Sequence, residues 1–236
     1  MQPQPAYLLH KHPYRETSAL VELLTMDHGR IRAVAQGVQR PGSRGRARLQ
    51  PYAPLHVTWT GEGDLKRLRM MESRGGAAML TGEALLCGFY ANELLSRLLP
   101  LEFPVKEVFA FYASMLEGLP RPEGREPALR RLELALLEAL DADPLFIDVD
   151  GQSLDAHARY DYCPDKRCFV PASDQSAGLD GRTLRLLANS DWATPGLASS
   201  AKRVTRTALA SLLGNKPLRS RELMVKLARR RHGSTS

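Results

Sequence analysis

An α+β protein, with its strands gathered in the first third of the chain and helices after them, is what this 236-residue sequence predicts. Three observations carry that expectation. Short segments before residue 80 alternate apolar and polar with period two, Gly75-Gly76 then interrupts the pattern, and from Glu83 onward apolar residues recur at helical spacing.

Strands are expected at Ala6–His12, Ala19–Thr25, Arg30–Gln36, Leu55–Thr60 and Leu65–Met71. The fourth alternates most cleanly, with Leu55, Val57 and Trp59 on one face and His56, Thr58 and Thr60 on the other. Asp27-His28-Gly29 and Gly61-Glu62-Gly63 read as short turns. The connection Gly37–Tyr52 contains Pro41, Gly42, Gly45 and Pro51 and is expected to be loop. Five short strands with one long connection fit a small closed barrel of the oligonucleotide-binding (OB) type, placed over residues 1–80.

Residues 81–236 are expected to form a mainly helical domain with a small irregular insertion at about 145–178. Glu83–Leu99 is apolar over a broad face and stops at Pro100. Pro104–Leu119 places Val105, Val108, Phe109, Tyr112, Met115, Leu116 and Leu119 on one side. Pro127 is read as lying in the first turn of a helix continuing over Ala128–Leu140, with Leu129, Leu132, Leu136 and Leu140 inward. Leu145–Val149, Ala158–Tyr162 and Cys168–Pro171 are candidate extended pieces, and helices return near Gly181–Ala188, Ser199–Leu213 and Ser220–Arg230.

Charge is distributed unevenly. Residues 1–80 hold twelve Lys/Arg against six Asp/Glu, residues 81–198 eleven against nineteen, and residues 199–236 ten against one. From His28 to Gly61 there are six arginines and no acid. A one-signed field on a folded β region has a polyanion as its natural counterpart. Arg30 and Arg32 share a face of the third strand, Arg40, Arg44, Arg46 and Arg48 follow in the connection, and Lys66, Arg67 and Arg69 lie in the fifth strand. These nine are the candidate DNA-binding residues, because guanidinium groups grip phosphate in bidentate fashion and stack on bases. Tyr7, Tyr14, Tyr52 and Trp59 are candidate stacking residues, although Trp59 belongs to the apolar face of its strand. Lys226, Arg229, Arg230 and Arg231 form a second basic cluster.

Other constellations carry less. Asp141, Asp143, Asp148 and Asp150 resemble a carboxylate cluster for a metal-dependent enzyme on nucleic acid, but they fall at a helix exit and a turn, where solvated acids are usual. His10 and His12 would share a strand face without a third ligand nearby. Cys163 and Cys168 enclose a knuckle that is half of a zinc site. Ser199 or Ser200 reads as a helix N-cap. No phosphate loop of the G-x-x-x-x-G-K-[ST] kind is present. No cofactor, metal or catalytic residue is expected, and neither is a membrane segment or secretory leader, so the expected location is the cytoplasm.

Several collinear segments resemble the RecO family of bacterial recombination mediators, particularly its gammaproteobacterial members. They are ETSALVELLTMDHGRIRAVAQGVQR at Glu16–Arg40, LQPYAPL at Leu49–Leu55, YANELLSRLLP at Tyr90–Pro100, PALRRLELALLEAL at Pro127–Leu140 and KPLRSREL at Lys216–Leu223. The resemblance implies an N-terminal OB domain, a helical domain with a small insertion, and a non-catalytic, nucleoid-associated role in DNA repair. It implies binding of single- and double-stranded DNA, annealing of complementary strands, and cooperation with RecR in loading RecA onto strands coated by single-stranded DNA-binding protein (SSB). It further implies that the SSB C-terminal tail docks on the helical domain, near the positions matched here by Arg130 and Arg131. Some relatives carry a four-cysteine zinc knuckle where this chain has two cysteines. An RNA-binding OB protein is the remaining alternative.

Overall fold

The computed structural model describes residues 2–174, 176–189, 194 and 196–233, apart from the side chains at 44, 46, 228 and 230–233. Strands β1 (Gln4–Tyr14), β2 (Ser18–Thr25) and β3 (Gly29–Ala35) form an antiparallel meander. The connection after β3 holds a short helix, α1 (Arg44–Arg48), before β4 (Leu55–Thr60) and β5 (Leu65–Ser73). The barrel closes in the order β1-β2-β3-β5-β4, with β3 parallel to β5 and β4 antiparallel to β1. That is the OB topology the alternation predicts. The long connection was expected to be loop throughout; α1 corrects that, since Arg44–Arg48 has no proline and can complete a single turn between Gly42 and Pro51.

The interior is filled by small and branched residues from alternate positions, among them Val21, Leu23, Ile31, Val57 and Trp59. Val38 and Leu49, from the two ends of the β3–β4 connection, complete this core. The basic segment between them is therefore pinned at both ends by buried apolar anchors, while Arg40 and Arg48 are exposed.

Strand β1 changes register between Leu8 and His10, a bulge that leaves Leu8 and Leu9 both buried. Leu8 stays in the barrel core, and the carbonyls of Leu8 and Leu9 turn to the side-chain amide of Asn92, at 3.5 and 3.0 Å. Asn92 lies in α2 (Gly82–Leu98), and its Oδ1 accepts a 2.6 Å bond from the Tyr112 hydroxyl of α3 (Lys106–Gly118). Tyr112 is fully buried, and desolvation pushes its phenol well above the usual tyrosine range, so it stays a donor. Helix α2 ends where Pro100 removes the next donor. The chain then crosses β3 closely: Gly29 has φ +64°, and a Cβ there would meet the Phe103 carbonyl oxygen at 1.8 Å.

Helix α4 (Pro122–Ala139) begins with Pro122, five residues ahead of Pro127. The expectation that Pro127 sits in the first turn is thus corrected: Pro122 takes that position and Pro127 is internal, sixth in the helix, where it removes the N–H that would otherwise donate to the Glu123 carbonyl. Strands β6 (Arg159–Cys163), β7 (Cys168–Pro171) and the short β8 (Leu179–Asp180) form a small sheet in the order β7-β6-β8. Helices α5 (Gly181–Ala188), α6 (Leu197–Leu213) and α7 (Arg219–Gly233) follow. Gly196 occupies the N-cap of α6, so Ser199 and Ser200 lie inside its first turn rather than capping it. Among the described residues no helix is long and apolar enough to cross a membrane.

Two compact units result: residues 1–122 with 217–236, and residues 123–216. Local structure changes from strand to helix between β5 and α2, yet α2, α3 and α7 belong to the barrel's unit. Glu93, next to Asn92, holds α7: it accepts from the backbone amides of Arg219 and Ser220, both at 2.8 Å, and from the Ser220 hydroxyl at 2.6 Å. Burial pushes the Glu93 carboxyl up, but these hydrogen bonds together outweigh it and hold it below the usual glutamate range.

Replacing Asn92 by Ala should lower stability by about 3 kcal/mol, because the bulge carbonyls and the Tyr112 hydroxyl lose their partner together. Urea denaturation followed by tryptophan fluorescence measures this. A change below ~1 kcal/mol would mean that water satisfies these groups.

Candidate nucleic-acid interface

Seven of the nine expected DNA-facing residues have described side chains, and these fall into two groups. Arg30 is buried; its Nε donates to the Leu99 carbonyl at 2.8 Å and its Nη1 meets Glu22 at 3.3 Å. It ties β3 to the end of α2, where the helix leaves carbonyls unpaired. Lys66 is buried as well, on Glu102 at 2.8 Å and on the Glu62 carbonyl at 3.2 Å. Both cations are spent on packing the 99–102 segment against the barrel. Period-two reading places Arg30 on the outer face of β3 correctly, but that face is covered here.

Of the remaining seven, those whose side chains are described lie outward. Arg32 is half-exposed and shares Glu22 at 2.9 Å. Arg67 and Arg69 are exposed on β5, with Arg67 donating to Gln36 Oε1 at 2.6 Å. Arg48 donates to the Met71 carbonyl of β5 at 3.2 Å, which fixes the end of α1 beside that strand. Arg48 consequently lies beside the strand that carries Arg67 and Arg69, and the backbone of Arg44 and Arg46 precedes it in α1; the side chains of those two lie outside the described residues. Arg74, just past β5, donates to His56 at 3.2 Å and adds a cation that sequence reasoning missed.

The expected stacking residues have other tasks. Trp59 is in the barrel core, with His28 edge-on at 5.1 Å. Tyr7 packs against Phe109 and Tyr112 of α3. Tyr14 lies beneath the Arg15 guanidinium at 5.1 Å. Tyr52 is buried, and burial pushes its phenol far up.

The other constellations resolve into local contacts. Arg167 takes Asp141 at 2.6 Å and Asp143 at 2.5 Å, while Asp148 accepts from the amides of Asp150 and Gln152. Cys163 and Cys168 face each other across the β6–β7 hairpin as free thiols. His10 and His12 stack at 4.1 Å, and burial, with His12 second, holds His10 below the usual histidine range. Among the described residues no group of three or more His, Cys, Asp or Glu converges. On α4, Arg130 is buried on Glu133 at 2.7 Å, and Glu133 also accepts from Thr205 of α6. Arg130 therefore lies inside the buried row rather than beside it, while Arg131 is exposed.

A closed OB-type barrel bearing a pinned, acid-free arginine connection, extended by helices and a small three-stranded sheet, defines the class of protein. The family described as Recombination protein O N terminal matches residues 1–76, and Recombination protein O C terminal matches residues 79–222. DNA repair protein RecO of Pseudomonas aeruginosa (strain LESB58) is 43% identical over 223 residues, covering 94% of each chain. The Nitrosococcus oceani protein of that name is 43% identical over 230 residues, covering 96% of this chain and 94% of its own. That of Methylococcus capsulatus is 42% identical over 220 residues, covering 92% and 90%. The chain belongs to the RecO family of DNA repair proteins.

Replacing Arg30 or Arg130 by Ala should cost about 3 kcal/mol of stability, since the first takes the side-chain donor from the Leu99 carbonyl and the second takes the guanidinium from the buried Glu133 carboxylate. Arg69→Ala, fully on the surface, should stay within ~0.5 kcal/mol. Chemical denaturation of the three variants checks the ranking; a silent Arg30→Ala would place that guanidinium in solvent.

Proposed function

We propose that the protein is a non-catalytic mediator of recombinational repair in the cytoplasm, associated with the nucleoid. It binds single- and double-stranded DNA, anneals complementary strands, and with RecR helps RecA load onto SSB-coated single strands. The observation that carries this reading is the β3–β4 connection: acid-free, arginine-rich, anchored by Val38 and Leu49, and fastened to β5 by Arg48. A preorganised cationic arm meets a phosphate backbone without first paying to order itself. Arg32, Arg40, Arg44, Arg46, Arg48, Arg67 and Arg69 are its phosphate-binding residues. Arg30 and Lys66 support it by holding the barrel against the 99–102 segment.

The SSB tail reading is kept for the 123–216 unit, at Arg130 and Arg131. An acidic tail ending in an apolar residue needs apolar surface with a guanidinium. Supporting the reading, Arg131 is exposed on the helix whose buried row includes Leu132 and Leu136. A guanidinium matches a carboxylate.

Annealing of complementary oligonucleotides, with and without SSB, tests the mediator activity. Divalent-ion-dependent cleavage would favour the enzyme alternative, and preference for RNA over DNA of the same sequence the RNA-binding one. Each phosphate engaged on a single strand contributes about 0.7 to the slope of log affinity against log salt. Replacing Arg44, Arg46 and Arg48 together by Ala should therefore weaken binding and lower that slope by roughly two. An unchanged slope would move the DNA site away from this arm, to the C-terminal basic segment first.

A further inference from the structure

The strand register sets the outward-facing residues of the barrel in rows. His10 of β1 lies opposite Glu22 of β2, Glu22 lies opposite Arg32 of β3, and Arg32 lies beside Leu65 of β5. The next row runs His12, Leu20, Val34 and Arg67 across the same four strands. Directly paired residues project to one face of a sheet, and His10, His12, Arg32 and Arg67 are all exposed. Leu20 and Val34 are half-buried and Leu65 is 46% exposed. The rows therefore place imidazoles on the β1 side and guanidiniums towards β5, with apolar surface among them.

The face carries an excess of positive charge. Glu22 is the one acid in the two rows, and it already holds Arg30 at 3.3 Å and Arg32 at 2.9 Å. Arg67 donates only to the neutral amide of Gln36 among its given bonds. The face also runs into the arginine connection: the Gln39 amide donates at 2.9 Å to the Thr17 carbonyl, in the turn between β1 and β2.

The histidines are the part of this face that the arginine reading leaves unused. Their rings stack at 4.1 Å and 24°. Neutral imidazoles pack well at that distance, whereas a proton on each brings like charges together. Burial first, and His12 second, hold His10 below the usual histidine range, against the pull of Glu22 and the Lys11 backbone. Lys11 itself pairs with the core residue Val21 and donates to the Leu49 carbonyl at 3.2 Å. His10 also lines a cavity of about 540 Å³ whose other charged groups are Lys11, Glu93, Arg97 and Arg219. Glu93 is committed to the start of α7 and further neutralised by Arg97. Among the described residues, a proton on this pair thus faces carboxylates that other groups already hold. An anion from outside supplies what is missing.

We propose that the His10–His12 pair is a phosphate contact of the DNA-binding surface, and that it takes up a proton from solvent when a DNA strand crosses the outer face of β1, β2, β3 and β5. The proposal rests on the DNA-binding reading above and extends it from the arm onto the sheet. A phosphate oxygen accepts from the N–H of a protonated ring, and the sugars and bases lie over Leu20, Val34 and Leu65. Adjacent strands are ~4.8 Å apart, so His10 and Arg32 stand about 10 Å apart and engage different phosphates of one strand. A phosphate beside an imidazole favours its charged form, so the ring holds its proton more tightly in the complex than in the free protein. Binding therefore strengthens as pH falls through the histidine range, and levels off once the free pair is protonated.

The test uses the full chain and a labelled oligothymidylate, whose bases do not titrate near neutrality, at fixed ionic strength from about pH 6 to about pH 8.5. Calorimetry in two buffers of different ionisation heat counts the protons. Wild-type affinity should rise about fivefold or more from the alkaline to the acid end, with net uptake of up to about one proton. In the His10→Gln, His12→Gln double variant the pH dependence and the uptake should both be gone. His10→Lys with His12→Gln, which carries a fixed charge, should bind as tightly at the alkaline end as at the acid end. If the wild type binds single strands without proton uptake, the inference is overturned while the DNA reading stands. If the double variant keeps the wild-type pH dependence, the titration belongs to another group, such as His28 or His56, and the inference is again overturned. If the wild type binds no DNA at low salt, the DNA reading fails and takes the histidine pair with it.

Discussion

Two adjacent polar residues inside an apolar helix organise the larger unit. Asn92 takes the carbonyls that the β1 bulge leaves unpaired and accepts the Tyr112 hydroxyl, so barrel, α2 and α3 meet at one side chain. Glu93 points to α7 and satisfies the amides at its start. Hydrophobic contact alone would bring these elements together without fixing their angles. Hydrogen bonds fix them, those of Asn92 buried away from water, because any slippage there leaves a donor or acceptor orphaned. The cavity lies beside this pair, and both residues line it.

The cations follow the same logic of satisfaction. A guanidinium can be removed from water where a helix end offers a carbonyl and a carboxylate neutralises it, as Arg30 shows with Leu99 and Glu22. Lys66 finds the same pair of partner types in Glu62 and Glu102. Between His28 and Gly61 the sequence contains no carboxylate, so Arg40, Arg44, Arg46 and Arg48 have none close in sequence. Their positions are set by what flanks them: Val38 and Leu49 in the barrel core. Fixing the backbone by apolar anchors leaves the charges for a partner outside the molecule.

Much of the fold was legible because the barrel is a set of half-buried strands, for which period-two alternation is a direct physical signal. Leu55, Val57 and Trp59 face inward as their spacing requires. Non-local features were less legible. The covering of Arg30 depends on the end of α2, sixty-nine residues away. The burial of Tyr52 depends on Gly88, whose missing side chain carries no periodicity. Pro127 misled because proline marks a first turn only statistically, and Pro122 took that place. The burial of Arg130 is also non-local: its partner Glu133 lies one turn on, but that carboxylate's other partner, Thr205, comes from another helix. For the arginine connection, composition identified the charge, but the anchors that make it a fixed arm emerge only when the barrel closes.

The central claim is that DNA lies along the arginine arm of the barrel unit. Amide hydrogen exchange, with and without a single-stranded oligonucleotide at low salt, tests it most directly. Protection is expected across residues 38–52 and along β5, with exchange in β6, β7 and β8 unchanged. Protection confined to residues 123–216, with the 38–52 segment exchanging as in the free protein, would contradict it.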